Sequence, residues 1–159
     1  MLAEDDLTPM RLVLYQPEIA ENAGAATRAA ACFGAELHII EPCGFPLNSR
    51  RFARVAMDYG LMAPPIVHAD WTAFLAATDQ TGRRVLLTTK ADASIWNAPL
   101  ENDDYVILGR ESAGAPADVH SRVDMRVRIP LAVGARSLNV SVAGAVALAE
   151  YARRAAVSS

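Results

Sequence analysis

Four consecutive positions, Arg136, Ser137, Leu138 and Asn139, put a cation, a hydroxyl, a backbone amide and a carboxamide into one short loop. They follow Ile129-Pro130-Leu131 and Gly134, and they precede an apolar, Ala-rich stretch from Val140 to about Ala155. Polar side chains and unpaired N–H groups at a helix start make a binding site for a polar or anionic group. The plainer reading is that Ser137 or Asn139 is simply the N-cap of that helix. A second set, Gly109-Arg110-Glu111-Ser112-Ala113-Gly114, follows the apolar run Tyr105 to Leu108. In both places an apolar strand gives way to a glycine-containing polar loop. Ligands of parallel α/β sheets bind at the carboxyl ends of strands, so the two loops are expected to face one pocket.

The elements that must hold these loops alternate along the chain. Arg11 to Tyr15 reads as a strand, closed by Pro17 and the polar Glu21-Asn22. Ala25 to Phe33 reads as a helix with Gly34 as its stop, and Leu37 to Ile40 as the second strand. Asn48 to Met57 has helical character, with Arg50, Arg51 and Arg54 on its polar side. Ile66 to His68 is a third strand, and Asp70 is a suitable N-cap for a helix from Trp71 to Ala77. Val85 to Thr89 is the fourth strand, exiting through Leu87-Thr88-Thr89-Lys90. A polar connection from Asp92 to Asp104, with room for a short helix, leads to the fifth strand, Tyr105 to Leu108. Pro116 to His120 reads as a short helix. Met125 to Ile129 is the sixth strand, stopped by Pro130, which has no N–H to give a ladder. This alternation predicts an α/β fold, a mostly parallel sheet with helices on both faces. It is expected as one domain over 10–159, preceded by a frayed tail over 1–9.

Composition excludes several classes. No apolar run reaches the roughly 18 residues of a membrane span. The start, with Glu4, Asp5 and Asp6, lacks the basic and apolar regions of a signal peptide. Cys32 and Cys43 have no partners at metal-ligand spacing and make no disulfide framework, so a reducing cytoplasm and no metal are expected. There is no dinucleotide G-x-G-x-x-G after the first strand, no phosphate-binding P-loop and no G-x-S-x-G elbow. The net charge of −3 argues against a strongly basic nucleic-acid binder, but local distribution matters more than the sum. Of 15 basic residues only Lys90 is a lysine. Arg50, Arg51 and Arg54 are the candidate RNA-binding patch, against the plainer reading of a solvated helix face.

Leu108-Gly109-Arg110-Glu111-Ser112-Ala113-Gly114, and Ile129-Pro130-Leu131 followed by Ser137-Leu138-Asn139-Val140-Ser141, resemble the second and third motifs of the SPOUT RNA methyltransferases. Glu21-Asn22-Ala23-Gly24-Ala25-Ala26-Thr27-Arg28 resembles the first. The three occur in order, and the likeness runs from Arg11 to about Arg154. Together they mark the branch that methylates ribose 2′-hydroxyls. Leu14-Tyr15-Gln16-Pro17-Glu18-Ile19, His38-Ile39-Ile40-Glu41-Pro42 and Leu87-Thr88-Thr89-Lys90 narrow the likeness to the small members acting on the wobble nucleotide of tRNA. Ala25 and Ala26 replace larger residues often seen in the first motif.

The resemblance implies a C-terminal trefoil knot, formed by the loops after Leu87, Leu108 and Ile129. It implies S-adenosylmethionine bound by Leu87, Thr88, Thr89, Gly109, Glu111, Gly114, Ile129, Leu131, Ser137 and Leu138, with Gly109 letting backbone approach the ligand. It places Asn22, Arg28, Glu111, Ser137 and Asn139 around the reacting hydroxyl. A guanidinium is essentially never deprotonated in proteins, so Arg28 is expected to orient and stabilise a developing alkoxide. Glu111 is expected to hold Arg28 or take the proton, or else simply to pair with Arg110 or Arg136. The expected partners are the tRNA anticodon stem-loop and a second copy of the chain, because the last helix is apolar around most of its circumference. The alternatives are methylation of another tRNA or rRNA site, and a non-catalytic RNA-binding protein on the same fold.

Overall fold

Alternation along the strands decides the layering. Leu12, Leu14, Leu37, Ile39, Val85, Leu87, Val106 and Leu108 point to one side of a sheet, and Val13, Tyr15, Ile40, Leu86 and Ile107 to the other. A strand buried on both faces must be covered twice. A computed structural model describes residues 9–56, 59 and 63–158. Among them six strands form one sheet: β1 Arg11–Tyr15, β2 Glu36–Ile40, β3 Ile66–His68, β4 Arg84–Leu87, β5 Tyr105–Leu108 and β6 Met125–Val127. Their order is β3-β2-β1-β5-β4-β6, and every pairing is parallel. The expected tail at 1–9 falls almost wholly outside the described residues, as does Met57.

The helices are α1 Ala20–Cys32, α2 Arg50–Ala56, α3 Trp71–Ala77, α4 Ala117–Ser121 and α5 Val140–Ser158. Ala20, Ala23, Ala26 and Ala30 of α1 pack on one sheet face with Phe52 of α2 and Ala147, Leu148 and Tyr151 of α5. Trp71 and Phe74 of α3 and Val119 of α4 cover the other. Small side chains let α1 and α2 meet closely: a Cβ on Gly24 would stand 2.6 Å from that of Val55. Asp70 caps α3 as expected, accepting from the Ala73 N–H at 2.7 Å.

Several boundaries differ from the sequence reading. Helix α1 begins at Ala20, so Glu21 and Asn22 lie in its first turn and not in a loop. Strand β4 ends at Leu87, leaving Thr88 and Thr89 beyond it. Strand β6 ends at Val127, three residues before Pro130. Past it Arg128 bridges Ser94, donating its N–H to the Ala93 carbonyl and accepting from the Ile95 N–H, both at 2.8 Å. The 92–104 connection holds turns and this bridge, with no helix. Helix α5 runs on to Ser158.

Two polar clusters are built into the interior. Asp104 accepts from Arg83 Nε, the Glu101 N–H and the Tyr151 hydroxyl, each at 2.9 Å. The Arg154 guanidinium donates to the carbonyls of Ala98, Ile95 and Trp96 at 2.5, 2.8 and 3.0 Å, and to Glu150 at 2.8 Å. Helix α5 is thereby fastened to the segment that follows β4. On the opposite sheet face the buried rings of His38 and His68 stack, with Nδ1 of the first 2.9 Å from Nε2 of the second.

Candidate functional site

Because every strand is parallel, their carboxyl ends share one edge of the sheet, and chain order reverses between β1 and β5. That edge is where an α/β sheet offers a crevice. It holds a cavity of about 340 Å³. Leu87, Thr88 and Thr89 line it from the β4 exit, and Gly109, Glu111 and Gly114 from the β5 exit. Ile129, Leu131, Ser137 and Leu138 line it from the segment between β6 and α5. The structure thus brings all ten residues expected at the cofactor into one lining. Lys90 and His120 line it too, and no sequence motif marked His120.

Gly109 has a structural duty as well as a place in the cavity lining. A Cβ there would stand 2.5 Å from the Ala115 nitrogen and 2.6 Å from the Gly114 carbonyl carbon. Arg110 and Gly114 exchange backbone hydrogen bonds at 3.2 and 3.0 Å, with Gly114 at φ +67°. The glycine lets the loop fold on its own backbone, which sets the wall of the cavity.

Glu111 engages the chain at the start of α1. Its carboxylate accepts from the backbone N–H of Glu18 at 2.9 Å and of Ile19 at 3.3 Å. Glu18 answers by accepting from the Ser112 N–H at 2.9 Å and hydroxyl at 2.7 Å, and these bonds hold its carboxyl below the usual range. Ile19 is the N-cap of α1 and supplies no side-chain cap. Glu111 bonds the N-cap N–H, as the acidic residue of a capping box does, but from across the sheet edge, where a negative charge also suits the helix dipole. Arg110 turns to the Gln16 amide oxygen and lies 5.4 Å from the Tyr15 ring centroid.

The remaining expected residues lie outside the cavity lining. Asn139 donates to the Asn22 carboxamide oxygen at 3.0 Å, and its own oxygen accepts from the N–H groups of Ser141 and Val142 at 2.9 and 3.3 Å. It is therefore both the cap of α5 and a tie to α1. Arg28 is exposed on α1, its guanidinium 5.5 Å from the Tyr59 ring centroid. Ala25 and Ala29 flank it on the same face and, with Val142, Ala145, Val146 and Ala149 of α5, line a shallow apolar groove. Arg50, Arg51 and Arg54 are exposed on α2, and Arg51 is taken up by Glu21 at 2.8 Å. That pairing lowers the Glu21 pKa.

Two further features bear on chemistry. Among the described residues Glu101, Asp103 and Asp104 are the one grouping with metal-ligand spacing. It precedes β5, at the opposite edge from the cavity, and Asp104 is already bonded by Arg83 and Tyr151. Cys32 and Cys43 are free, and burial pushes the Cys43 thiol up to about 11, helped by Glu41 and Glu111. No described helix is long and apolar enough to cross a membrane.

A model of the SpoU rRNA methylase family matches residues 9–149. The chain belongs to the SpoU rRNA methylase family. A relative from Ancylobacter novellus, a tRNA (cytidine(34)-2'-O)-methyltransferase, is 48% identical over 91% of this chain and 92% of its own. A solved structure described as giving structural insights into the 2-OH methylation of C/U34 on tRNA superposes with a TM-score of 0.88 at 38% identity, covering 93% of this chain and 97% of that one. An AdoMet-bound rRNA methyltransferase from Sinorhizobium meliloti shares the fold, with a TM-score of 0.85 at 21% identity over 94% of this chain and 57% of that one. The cavity, with Gly109, Ser137 and the 129–131 segment around it, is thus the strand-exit site of a SpoU-family sheet.

Proposed function

We propose that this chain transfers a methyl group from S-adenosylmethionine to the ribose 2′-hydroxyl of the wobble nucleotide of tRNA, in the cytoplasm. The observation that carries the reading is the 48% identity, over nearly all of both chains, to a relative named for that reaction. The cavity suits the donor. Its volume of about 340 Å³ lies within the range of small-molecule sites, roughly 300–1,000 Å³. It pairs apolar walls from Leu87, Ile129, Leu131 and Leu138 with the Ser137 hydroxyl and loop backbone, as an adenosyl group bearing a polar tail requires.

S-adenosylmethionine, when bound, supplies an electrophilic methyl group. This chain's residues do the rest. Leu87, Gly109, Ile129 and Leu138 hold the adenosyl part through backbone and apolar contact. Ser137 and Asn139 orient the hydroxyl. Arg28 stabilises the oxygen as its proton passes to solvent water. Glu111, bonded to the start of the helix that carries Asn22 and Arg28, sets where both residues stand. Arg50 and Arg54 remain the α2 cations directed to RNA, with Arg51 tempered by Glu21.

The working unit is a homodimer of one domain spanning 10–159. Arg28 lies outside the cavity of its own chain, on the face that lines the α1–α5 groove, and Val142 in that groove is 48% exposed. A second copy seated there buries the groove and brings its Arg28 toward this chain's site. The α5 segment is knotted. The bridge from Arg128 to Ser94, and the grip of Arg154 on the 95–98 carbonyls, fit a chain end passed through the loop after β4.

The test is methylation of unmodified tRNA by the purified protein with S-adenosylmethionine, followed by mass spectrometry of nuclease fragments. One added methyl on the wobble ribose supports the reading. A methyl elsewhere on tRNA, or on ribosomal RNA offered in parallel, replaces it.

A further inference from the structure

Two cations and a histidine gather beside the cavity. Lys90, His120 and Arg126 line an open depression of about 540 Å³, which shares Lys90, Ala115 and His120 with the cavity itself. The two are therefore adjacent. Lys90 follows β4, His120 lies on α4 and Arg126 on β6, so three separate elements converge. Among the described residues neither Lys90 nor Arg126 forms an ion pair. Three of the nearby carboxylates are engaged elsewhere, Glu111 by the Glu18 and Ile19 N–H groups. Asp118 lines a different groove with Arg84 and Arg122, and Asp124 accepts from the Arg84 N–H at 2.8 Å. His120 is held below the ordinary histidine range by burial, then by repulsion from Arg126 and Lys90, so the three share one field.

In a chain of net charge −3, cations gathered without partners repel one another, and a bound anion relieves that repulsion. Arg126 lies on an edge strand, where a charge also blunts edge pairing. That role does not account for Lys90 and His120 beside it. No Phe, Tyr or Trp lines the depression, and the His120 imidazole is the one ring in it. What it offers is charge, exposed, at the mouth of the cavity.

We propose that Lys90, His120 and Arg126 form a subsite for a backbone phosphate of the RNA substrate, next to the pocket for the methyl donor. This rests on the reading of the chain as an RNA methyltransferase. It assigns RNA contact to the sheet edge beside the site, in addition to the α2 arginines. A phosphate held there fixes the strand along the cavity mouth, which positions without reading sequence.

The test is the salt dependence of binding to a labelled anticodon stem-loop RNA, followed by fluorescence anisotropy. For Arg126→Gln and for Lys90→Gln, the slope of log affinity against log salt should flatten by about 0.7–0.9 for each phosphate that is no longer neutralised. Arg126→Lys keeps the charge and should restore most of the slope. Calorimetry should find S-adenosylmethionine affinity unchanged in Arg126→Gln. Wild-type slopes in both glutamine variants overturn the proposal. So does weakened cofactor affinity with an unchanged RNA slope, which gives the cations to the donor's carboxylate instead. If Arg126→Gln aggregates through the sheet edge, Lys90→Gln, away from that edge, decides. A wild-type protein that binds no tRNA sinks the functional reading itself.

Discussion

Asn22 and Asn139, 117 residues apart, are joined by a hydrogen bond of 3.0 Å between their carboxamides. The same Asn139 side chain caps α5 through its oxygen. One residue thus starts the last helix and fixes it to the first, between Leu138 and Val140, which line the cavity.

The two duties separate by substitution. Asn139→Ser keeps a capping oxygen and is too short to reach Asn22. Its stability should stay within about 0.5 kcal/mol of wild type, because serine is as good an N-cap as asparagine. Methyl transfer should fall by about tenfold or more through misplacement of the reacting groups. Asn139→Ala should lose both, with roughly 1 kcal/mol of stability gone in urea unfolding. Full activity in Asn139→Ser would leave the tie without a catalytic consequence.

Glu111 holds the start of α1, and that predicts a particular kinetic signature. Glu111→Gln keeps one acceptor oxygen for the Glu18 and Ile19 N–H groups. It should retain part of the methyl-transfer rate, with a pH–rate profile of unchanged shape. Glu111→Ala should lose more, and should also lower stability by about 1.5–3 kcal/mol, the range for a hydrogen bond to a charged group. If Glu111→Gln abolished turnover at every pH while melting normally, the carboxylate would be the proton acceptor instead.

The buried histidine pair makes the fold acid-sensitive. Burial holds His38 below the ordinary histidine range, against the pull of Glu36, and it lowers His68 likewise. The unfolded chain therefore binds protons that the native state refuses. The stability tied to the pair is complete above an ordinary histidine pKa of about 6.5 and is lost as pH falls through the lowered values. Urea unfolding between about pH 7.5 and 5.5 should show stability dropping by up to roughly 1.4 kcal/mol per pH unit for each histidine. His68→Gln should flatten that dependence, and an equally steep fall in the variant would place the sensitivity elsewhere.

Complementation tests the shared site. Arg28→Ala removes the cation and Ser137→Trp fills the cavity, so each homodimer should be inactive. Mixed after mild unfolding and refolding, they should recover about a quarter of wild-type turnover, one working site in half the dimers. No recovery, with heterodimers shown by native mass spectrometry, would keep Arg28 within its own subunit.

Much of the architecture was readable because the signals were local. The six apolar runs became six strands, and Asp70 capped its helix as its sequence position indicated. The misplaced start of α1 has a physical reason. Its N-cap, Ile19, carries no capping group, and the acceptor comes from Glu111, which is brought near only by the fold. Strand β6 ended early because Arg128 pairs with Ser94, a pairing no period of two foretells. The cavity lining was readable where motifs named it. His120 was not, since a lone histidine on a five-residue helix carries no pattern of its own.

The grip of Arg154 on the carbonyls of Ile95, Trp96 and Ala98 sets an order of events in the life of the chain. Those carbonyls belong to the segment that begins just past Thr88, Thr89 and Lys90, which line the cavity. A ribosome releases the N-terminal strands first, and the guanidinium that fastens this segment follows Ala98 by 56 residues. Every nascent chain therefore carries the 95–98 segment unfastened until α5 has been made. Termination between Val127 and Arg154 yields a chain that has all six strands and lacks this fastening.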